Sequence, residues 1–163
     1  MPHILVTNDD GVRSEGLHIL AAALERLGEV TIVAPHTESS AIGHALTLRR
    51  PLRMDHVRDR VYEVDGTPTD CVNIAVSKIL GGMPDLVVSG INTGYNLGDD
   101  VTYSGTVAGA MEGALLGIPA LAMSLEGGPD YDFGPAAAVA TRVARALMAA
   151  PLPSRTFLNV NVP

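Results

Sequence analysis

Tryptophan is absent, aromatic residues make up only 4% of the 163-residue chain, and cysteine occurs once, at Cys71. A core without large aromatics must be filled by Val, Leu, Ile, Ala and Met, which suits a parallel sheet covered by helices. A lone cysteine excludes a disulfide within the chain and accords with a reducing compartment. Lysine also occurs once, at Lys78, and the net charge is −7 with a pI near 5.0. So acidic a chain repels polyanions, which argues against nucleic-acid binding and obliges a phosphorylated ligand to find a local cation. Long apolar runs are missing too. Although mean hydropathy is +0.24, the stretch Gly113 to Leu125 contains Pro119 and is too short to span a bilayer. The opening Met-Pro-His enters a strand without the basic start, apolar centre and cleavage site of a secretory leader. A cytoplasmic protein with no membrane partner is expected.

Short apolar runs and helical periodicities alternate along the chain, the pattern of a doubly wound α/β sheet in one domain over 1–163. Strands are predicted at Ile4 to Thr7, Val30 to Ala34, Val61 to Val64, Leu86 to Ser89, Ala120 to Ser124 and Phe157 to Val160, with 45–60 a strand or hairpin excursion. Leu17, Leu20, Ala21, Leu24 and Leu27 share one helical face, and Val72, Ala75, Val76, Ile79 and Leu80 share another. Thr67, Pro68 and Asp70 form the start signal of that second helix, and Gly81-Gly82 ends it. Further helices are predicted from Thr106 to Leu116 and from Pro135 to Ala149.

Ligands of open α/β sheets bind beyond the carboxyl ends of the strands, and the first strand ends in Asn8-Asp9-Asp10-Gly11. Two adjacent carboxylates repel each other unless a cation or a set of donors offsets the repulsion. Taken alone, such a pair is equally a helix cap beside a solvated acid. The loop after the second strand brings His36, Ser39, Ser40 and His44 to the same edge, where paired serines are commonly turn formers and a loop histidine is commonly exposed. The strand Leu86 to Ser89 is expected to run into a long Gly- and Asn-rich loop, putting Asn92 three residues past the strand end. Its amide oxygen, a serine hydroxyl and two carboxylates make an all-oxygen set suited to magnesium, manganese or calcium. Ser104, Gly105 and Thr106 open the third helix, whose free N–H groups favour an anion. Arg49, Arg50, Arg53, Arg58 and Arg60 crowd into one segment, read as a solvated charged hairpin.

These residues, in this order, resemble the SurE (stationary-phase survival protein E) family of 5′/3′-nucleotidases. The likeness rests on Ile4-Leu-Val-Thr-Asn-Asp-Asp-Gly11, Val33-Ala-Pro35 leading to Ser39-Ser40-Ala41, Gly66-Thr-Pro-Thr-Asp-Cys-Val72, Val87-Val-Ser-Gly-Ile-Asn92, Asn96-Leu-Gly-Asp-Asp100 and Tyr103-Ser-Gly-Thr-Val107. The resemblance covers essentially the whole chain. It implies a Rossmann-like three-layer αβα fold with a mostly parallel sheet. It also implies a divalent metal, manganese or magnesium, on Asp9, Asp10, Ser40 and Asn92, with Asp9 and Asp10 catalytic. Asn96, Ser104, Gly105 and Thr106 would line the phosphate end. The implied reaction is hydrolysis of nucleoside monophosphates, with short polyphosphate as a further substrate of some members. The implied assembly is a homo-oligomer, a dimer or tetramer, in full-length members. The family's C-terminal extension does not follow Pro163 in this sequence. Two alternatives stand beside this reading. A signalling receiver domain also has an acidic pair after its first strand, but needs a Lys at a later strand end, whereas Lys78 lies inside the second helix. A catalytically idle chain that binds metal or nucleotide in an assembly is the other.

Overall fold

Alternation along the first strand, β1 (His3–Thr7), sets the layering. Successive strand residues face opposite sides, and Ile4 and Val6 enter one buried cluster while Leu5 enters the other. The computed structural model describes residues 1–128 and 130–163. After β1 come α1 (Glu15–Leu24), β2 (Glu29–Pro35), β3 (Met54–Arg58), β4 (Val61–Val64), α2 (Pro68–Ile74), β5 (Leu86–Thr93), α3 (Gly105–Leu115), β6 (Ala120–Leu125), α4 (Phe133–Ala149) and β7 (Leu158–Val162). Seven strands form one sheet in the order β3-β4-β2-β1-β5-β6-β7. Every pairing is parallel except that of β3 with β4.

The periodic faces turn to the core as read, with Leu27, Val76, Ile79 and Leu80 only partly buried. Leu17, Leu20 and Leu24 of α1 are fully buried, each contributing roughly 2–3 kcal/mol by removal from water. They share a cluster with Ala136, Ala140 and Ala144 of α4, whose small side chains let that helix lie close. On the other face Cys71, Val72 and Ala75 meet Val107, Ala110 and Ala114 of α3. The sheet is thus covered on both sides, a Rossmann-like αβα arrangement. Among the described residues no helix is long and apolar enough to cross a membrane.

The start signal of α2 is realised as a complete capping box. Thr67 Oγ1 accepts from Asp70 N–H at 3.1 Å, and Asp70 Oδ2 accepts from Thr67 N–H at 2.9 Å. Beyond Ile74 the helix continues as a π-helical turn, Ala75–Ile79. The excursion at 45–60 resolves into the β3-β4 hairpin, preceded by irregular chain. α4 begins two residues earlier than its periodicity indicates, because Asp132 Oδ1 accepts from Gly134 N–H and caps it.

Two expectations need correction. β7 spans Leu158–Val162 rather than Phe157 to Val160, since its partners Leu121 to Leu125 fix the register. More consequentially, β5 does not stop at Ser89. It runs on to Thr93, with Asn92 paired to Ser124 and Thr93 to Leu125 after an irregularity. Gly90 sits there with φ +143°, and a Cβ on it would lie 2.5 Å from the carbonyl oxygen of Met123. The glycine that reads locally as the end of a strand therefore marks a bulge within it.

From β1 the chain moves through α1 to β2 on one side, and β5 lies on the other side of β1. The direction of winding reverses between β1 and β5, and the crevice beyond their carboxyl ends is where such sheets bind ligands.

Candidate active site

The turn after β1 is built by Asn8, which is fully buried. Its Nδ2 donates to Gly11 O and to Ser14 Oγ, both at 3.0 Å, and its Oδ1 accepts from Gly11 N–H at 3.2 Å. Gly11 adopts φ +101°, the conformation that glycine permits most cheaply. The turn brings Asp9 and Asp10 to one cleft although they are adjacent in sequence. The loop after β2 is tied alongside, with Ser39 N–H donating to Asp9 O at 2.7 Å and Val12 N–H donating to Pro35 O at 2.8 Å.

Asp9 is only 4% exposed. Thr106 Oγ1 donates to its Oδ1 at 2.5 Å, and the Thr106 backbone N–H also reaches the carboxylate. The N-terminus of α3, expected to seat an external anion, thus already holds the carboxylate of Asp9. Gly105 makes this approach possible, since a Cβ there would lie 2.7 Å from Asp9 Cβ. Burial still raises the Asp9 carboxyl above its ordinary pKa, against the lowering effect of Thr106. Asp10 is half-buried and has no such donors. Burial first, then the charges of Asp9 and Glu38, push its carboxyl up to about 6.

The cleft has a volume of about 360 Å³ and gathers Asp9, Asp10, Ser40, Asn92, Asn96 and Ser104. Gly105 and Thr106 stand behind Asp9 rather than in the wall. Ser104 Oγ accepts from Val107 N–H at 3.1 Å and so caps α3 while facing the cleft. Glu38, Tyr95, Asp100 and Tyr103 complete much of the wall. Glu38 and Asp100 were not singled out from sequence. The only local sign of Glu38 is its place two residues before Ser40 in a polar loop. A cleft of about 450 Å³ borders the start of α4, and two larger ones, each about 570 Å³, lie elsewhere. One borders α1 and the hairpin, where Arg60 pairs with Glu29 and Arg58 with His18. The other is an apolar groove against α4. Acids in the first of these lie beside Arg58 and Arg60, and Asp132 in the cleft at the start of α4 is taken up in capping that helix, whereas the smaller cleft of Asp9 and Asp10 gathers four carboxylates with no basic side chain among the described residues.

Other residues raised by the sequence lie outside it. His36 Nδ1 is 3.0 Å from Glu63, His44 Nε2 is 2.5 Å from Glu112, and Arg50 pairs with Asp65 at 3.0 Å. None of the five crowded arginines reaches the cleft wall.

The donors fit a hard divalent cation. Four carboxylates line the cleft, Asp9, Asp10, Glu38 and Asp100, and no basic side chain does so among the described residues. Ser40 Oγ donates its proton to Glu38 Oε1 at 2.6 Å, leaving its lone pairs for another partner. Asn92 Nδ2 donates to Gly94 O at 2.9 Å, which leaves Oδ1 as the available end of the amide. Supporting contacts of this kind orient metal ligands. Carboxylates alone do not complete a cage, because no group of three His, Cys, Asp or Glu suited to a metal occurs among the described residues. The hydroxyl and amide oxygens are needed.

A doubly wound αβα sheet with an acidic cleft at its switch point defines an α/β protein whose candidate site presents carboxylate, hydroxyl and amide oxygens to one space. Comparison with known proteins narrows the class. Residues 4–163 match the family model described as Survival protein SurE. The chain is 60% identical over 162 residues to a protein of Pelobacter propionicus named 5′-nucleotidase SurE, covering 99% of this chain and 66% of that one. It is 56% identical over 161 residues to the protein of that name from Geobacter metallireducens, covering 98% and 64%. The crystal structure of the SurE protein from Aquifex aeolicus superposes with a TM-score of 0.95 at 47% identity, over 99% of this chain and 66% of that chain. The chain belongs to the SurE family, and it spans just under two thirds of the length of these relatives.

Proposed function

We propose that this protein is a metal-dependent phosphatase that hydrolyses nucleoside 5′-monophosphates, and also 3′-monophosphates and short polyphosphate, to release phosphate. The observation that carries the reading is a cleft whose charged side chains are all acidic among the described residues, in which the Asp10 carboxyl is pushed up to about 6 by burial and by neighbouring carboxylates. Such a cleft repels a phosphate monoester unless a cation mediates. The 5′-nucleotidase name of the relatives supports the same chemistry.

Asp9, Asp10, Ser40 and Asn92 would hold manganese or magnesium. When bound, the ion supplies Lewis-acid polarisation of a phosphoryl oxygen and lowers the pKa of water. The chain's own residues do the rest. Thr106 and Glu38 fix the orientation of Asp9 and Ser40, and a carboxylate oxygen of Asp9 or Asp10 left free of the ion accepts the proton of the attacking water. Asn96 and Ser104 bind the phosphate from the cleft wall, while Gly105 and Thr106 act from behind it by holding the carboxylate of Asp9. Tyr95 and Tyr103, both exposed at the mouth, offer apolar faces to the nucleoside. Such an enzyme works in the cytoplasm with a small nucleotide as its partner, and full-length members of the family are homo-oligomers by the resemblance.

Phosphate release from AMP and GMP, with and without manganese, tests the proposal. A metal-stimulated signal, removed by chelator and lost in both Asp9→Asn and Asp10→Asn, is expected. Near-normal turnover in both variants would overturn the assignment, and metal binding without turnover would favour the idle alternative.

A further inference from the structure

β7 contributes no side chain to the cleft wall, yet it holds one of the wall's segments. Its Asn159 and Asn161 alternate with Val160 and so leave the sheet on the same face. Both reach back to Asn96. The Asn96 backbone N–H donates to Asn161 Oδ1 at 2.8 Å. The Asn96 carbonyl accepts from Asn159 Nδ2 at 2.9 Å and from Asn161 Nδ2 at 3.3 Å. Asn96 Nδ2 in turn donates to Ser124 Oγ of β6 at 2.8 Å. The peptide groups of a cleft residue are therefore satisfied by side chains more than sixty positions away.

Other bonds hold this segment nearer its ends: Asn92 Nδ2 donates to Gly94 O at 2.9 Å and Asp100 N–H donates to Leu97 O at 3.2 Å. Gly94 at φ +102° and Gly98 at φ +56° flank it, and a Cβ at either would meet open space. Gly94 N–H donates to Leu125 O at 2.7 Å and anchors the near end. Beyond it, Tyr95 and Leu97 are both exposed, so Asn96 is the one residue between the glycines that is buried. With its apolar side chains exposed and a permissive glycine at each end, the middle of the segment is held by the polar contacts of Asn96 to β6 and β7.

We infer that Asn161, assisted by Asn159, is a positioning residue that clamps the Gly94–Gly98 segment and so sets the wall against which substrate binds. The functional half of this inference rests on the nucleotidase reading, with Asn96 at the phosphate end. The structural half does not. Asn161→Ala removes two of the three β7 contacts, including the shortest, and Asn159→Ala removes one.

Hydrogen exchange resolved at residues 94–98 reads the clamp directly. The exchange of the Asn96 amide is expected to accelerate at least about tenfold in Asn161→Ala, the worth of one or two net hydrogen bonds, and less in Asn159→Ala. In steady-state kinetics KM for AMP should rise roughly tenfold in Asn161→Ala with kcat changed less than about threefold, as expected when substrate binding is lost rather than transition-state contacts. Half-activation by manganese should shift less than KM, because Asp9, Asp10 and Ser40 lie on other segments and only Asn92, through its bond to Gly94 O, touches this one. Unchanged Asn96 exchange in Asn161→Ala would overturn the clamp. Faster exchange with unchanged KM would overturn its role in binding. If the unsubstituted protein releases no phosphate from AMP, the nucleotidase reading fails while the exchange result still decides the clamp. Should Asn161→Ala fail to fold, Asn159→Ala, which keeps the contact to the Asn96 N–H, decides by the same two readouts.

Discussion

Replacing Gly105 by alanine sets two opposing effects against each other. At the first turn of a helix, with no positive φ required, Gly→Ala ordinarily stabilises by about 0.4–1 kcal/mol through the unfolded chain. Here the new methyl would sit 2.7 Å from Asp9 Cβ and 3.1 Å from Asp9 Oδ2. The Cβ atom cannot rotate out of the way, so relief must come from the backbone of Asp9 or from the start of α3. The backbone of Asp9 is held by its carbonyl, which accepts from Ser39 N–H, and its carboxylate by Thr106. Overpacking of this kind costs roughly 1–3 kcal/mol, so the clash wins and a net loss of about 1–2 kcal/mol is expected. In a chain of this size that lowers Tm by about 2–6 °C. A carboxylate displaced by an ångström can lower turnover about a hundredfold, so kcat/KM for metal-dependent phosphate release should fall by that order. Thermal unfolding and the AMP assay measure the two effects separately. A Gly105→Ala protein that is as stable and as active as the unsubstituted one would refute the claim that Asp9 is pressed against this helix.

The pH dependence of the cleft follows from Asp10. Its folded-state pKa is raised to about 6 from 3.8, so the folded form binds the extra proton. Its destabilising ionisation is fully present above about pH 6 and is relieved as pH falls toward 4. Metal-free protein should accordingly gain stability from this group on acidification through that window, which denaturant midpoints in chelator at pH 7 and pH 5 would show. Manganese affinity should move the other way, falling about tenfold per pH unit below about 6 as protons compete, and equal affinities by calorimetry at pH 7.5 and pH 5 would contradict the ligand assignment. Asp10→Asn should stabilise the metal-free protein while abolishing metal binding, a trade expected when a site stores repulsion for its ligand. Asp70 is 2% exposed and accepts from Thr47 N–H, Thr47 Oγ1 and Thr67 N–H. Asp70→Ala strands these donors and should cost about 2–4 kcal/mol, read as a drop in denaturant midpoint.

The parts of this molecule legible in its sequence are those whose causes are local. Asp9-Asp10-Gly11 announces a turn at a strand end because the glycine that makes it is the next residue. Thr67, Pro68 and Asp70 announce a helix start because a capping box closes within four residues. The leucine spacing of α1 carries that helix's buried face, since its period alone decides which side turns to the sheet. What the sequence misplaced depends on partners far along the chain. Gly90 reads as a loop signal, yet β5 continues because Ser124 and Leu125 offer it a ladder after the bulge, and no residue near Asn92 indicates that. Thr106 reads as a donor for an external anion, yet its hydroxyl is taken by a carboxylate 97 positions earlier. Asn159 and Asn161 carry no local signal beyond belonging to a strand-like run, yet they close on Asn96. The correction to Asn92 bears on the chemistry as well as the topology. An amide on a paired strand is held by the ladder before any ligand arrives, so less ordering entropy is lost on binding than from a free loop. The same bulge that hides the strand from sequence reading lets its end resume pairing beside Ser124, within the crevice where β1 delivers its two carboxylates.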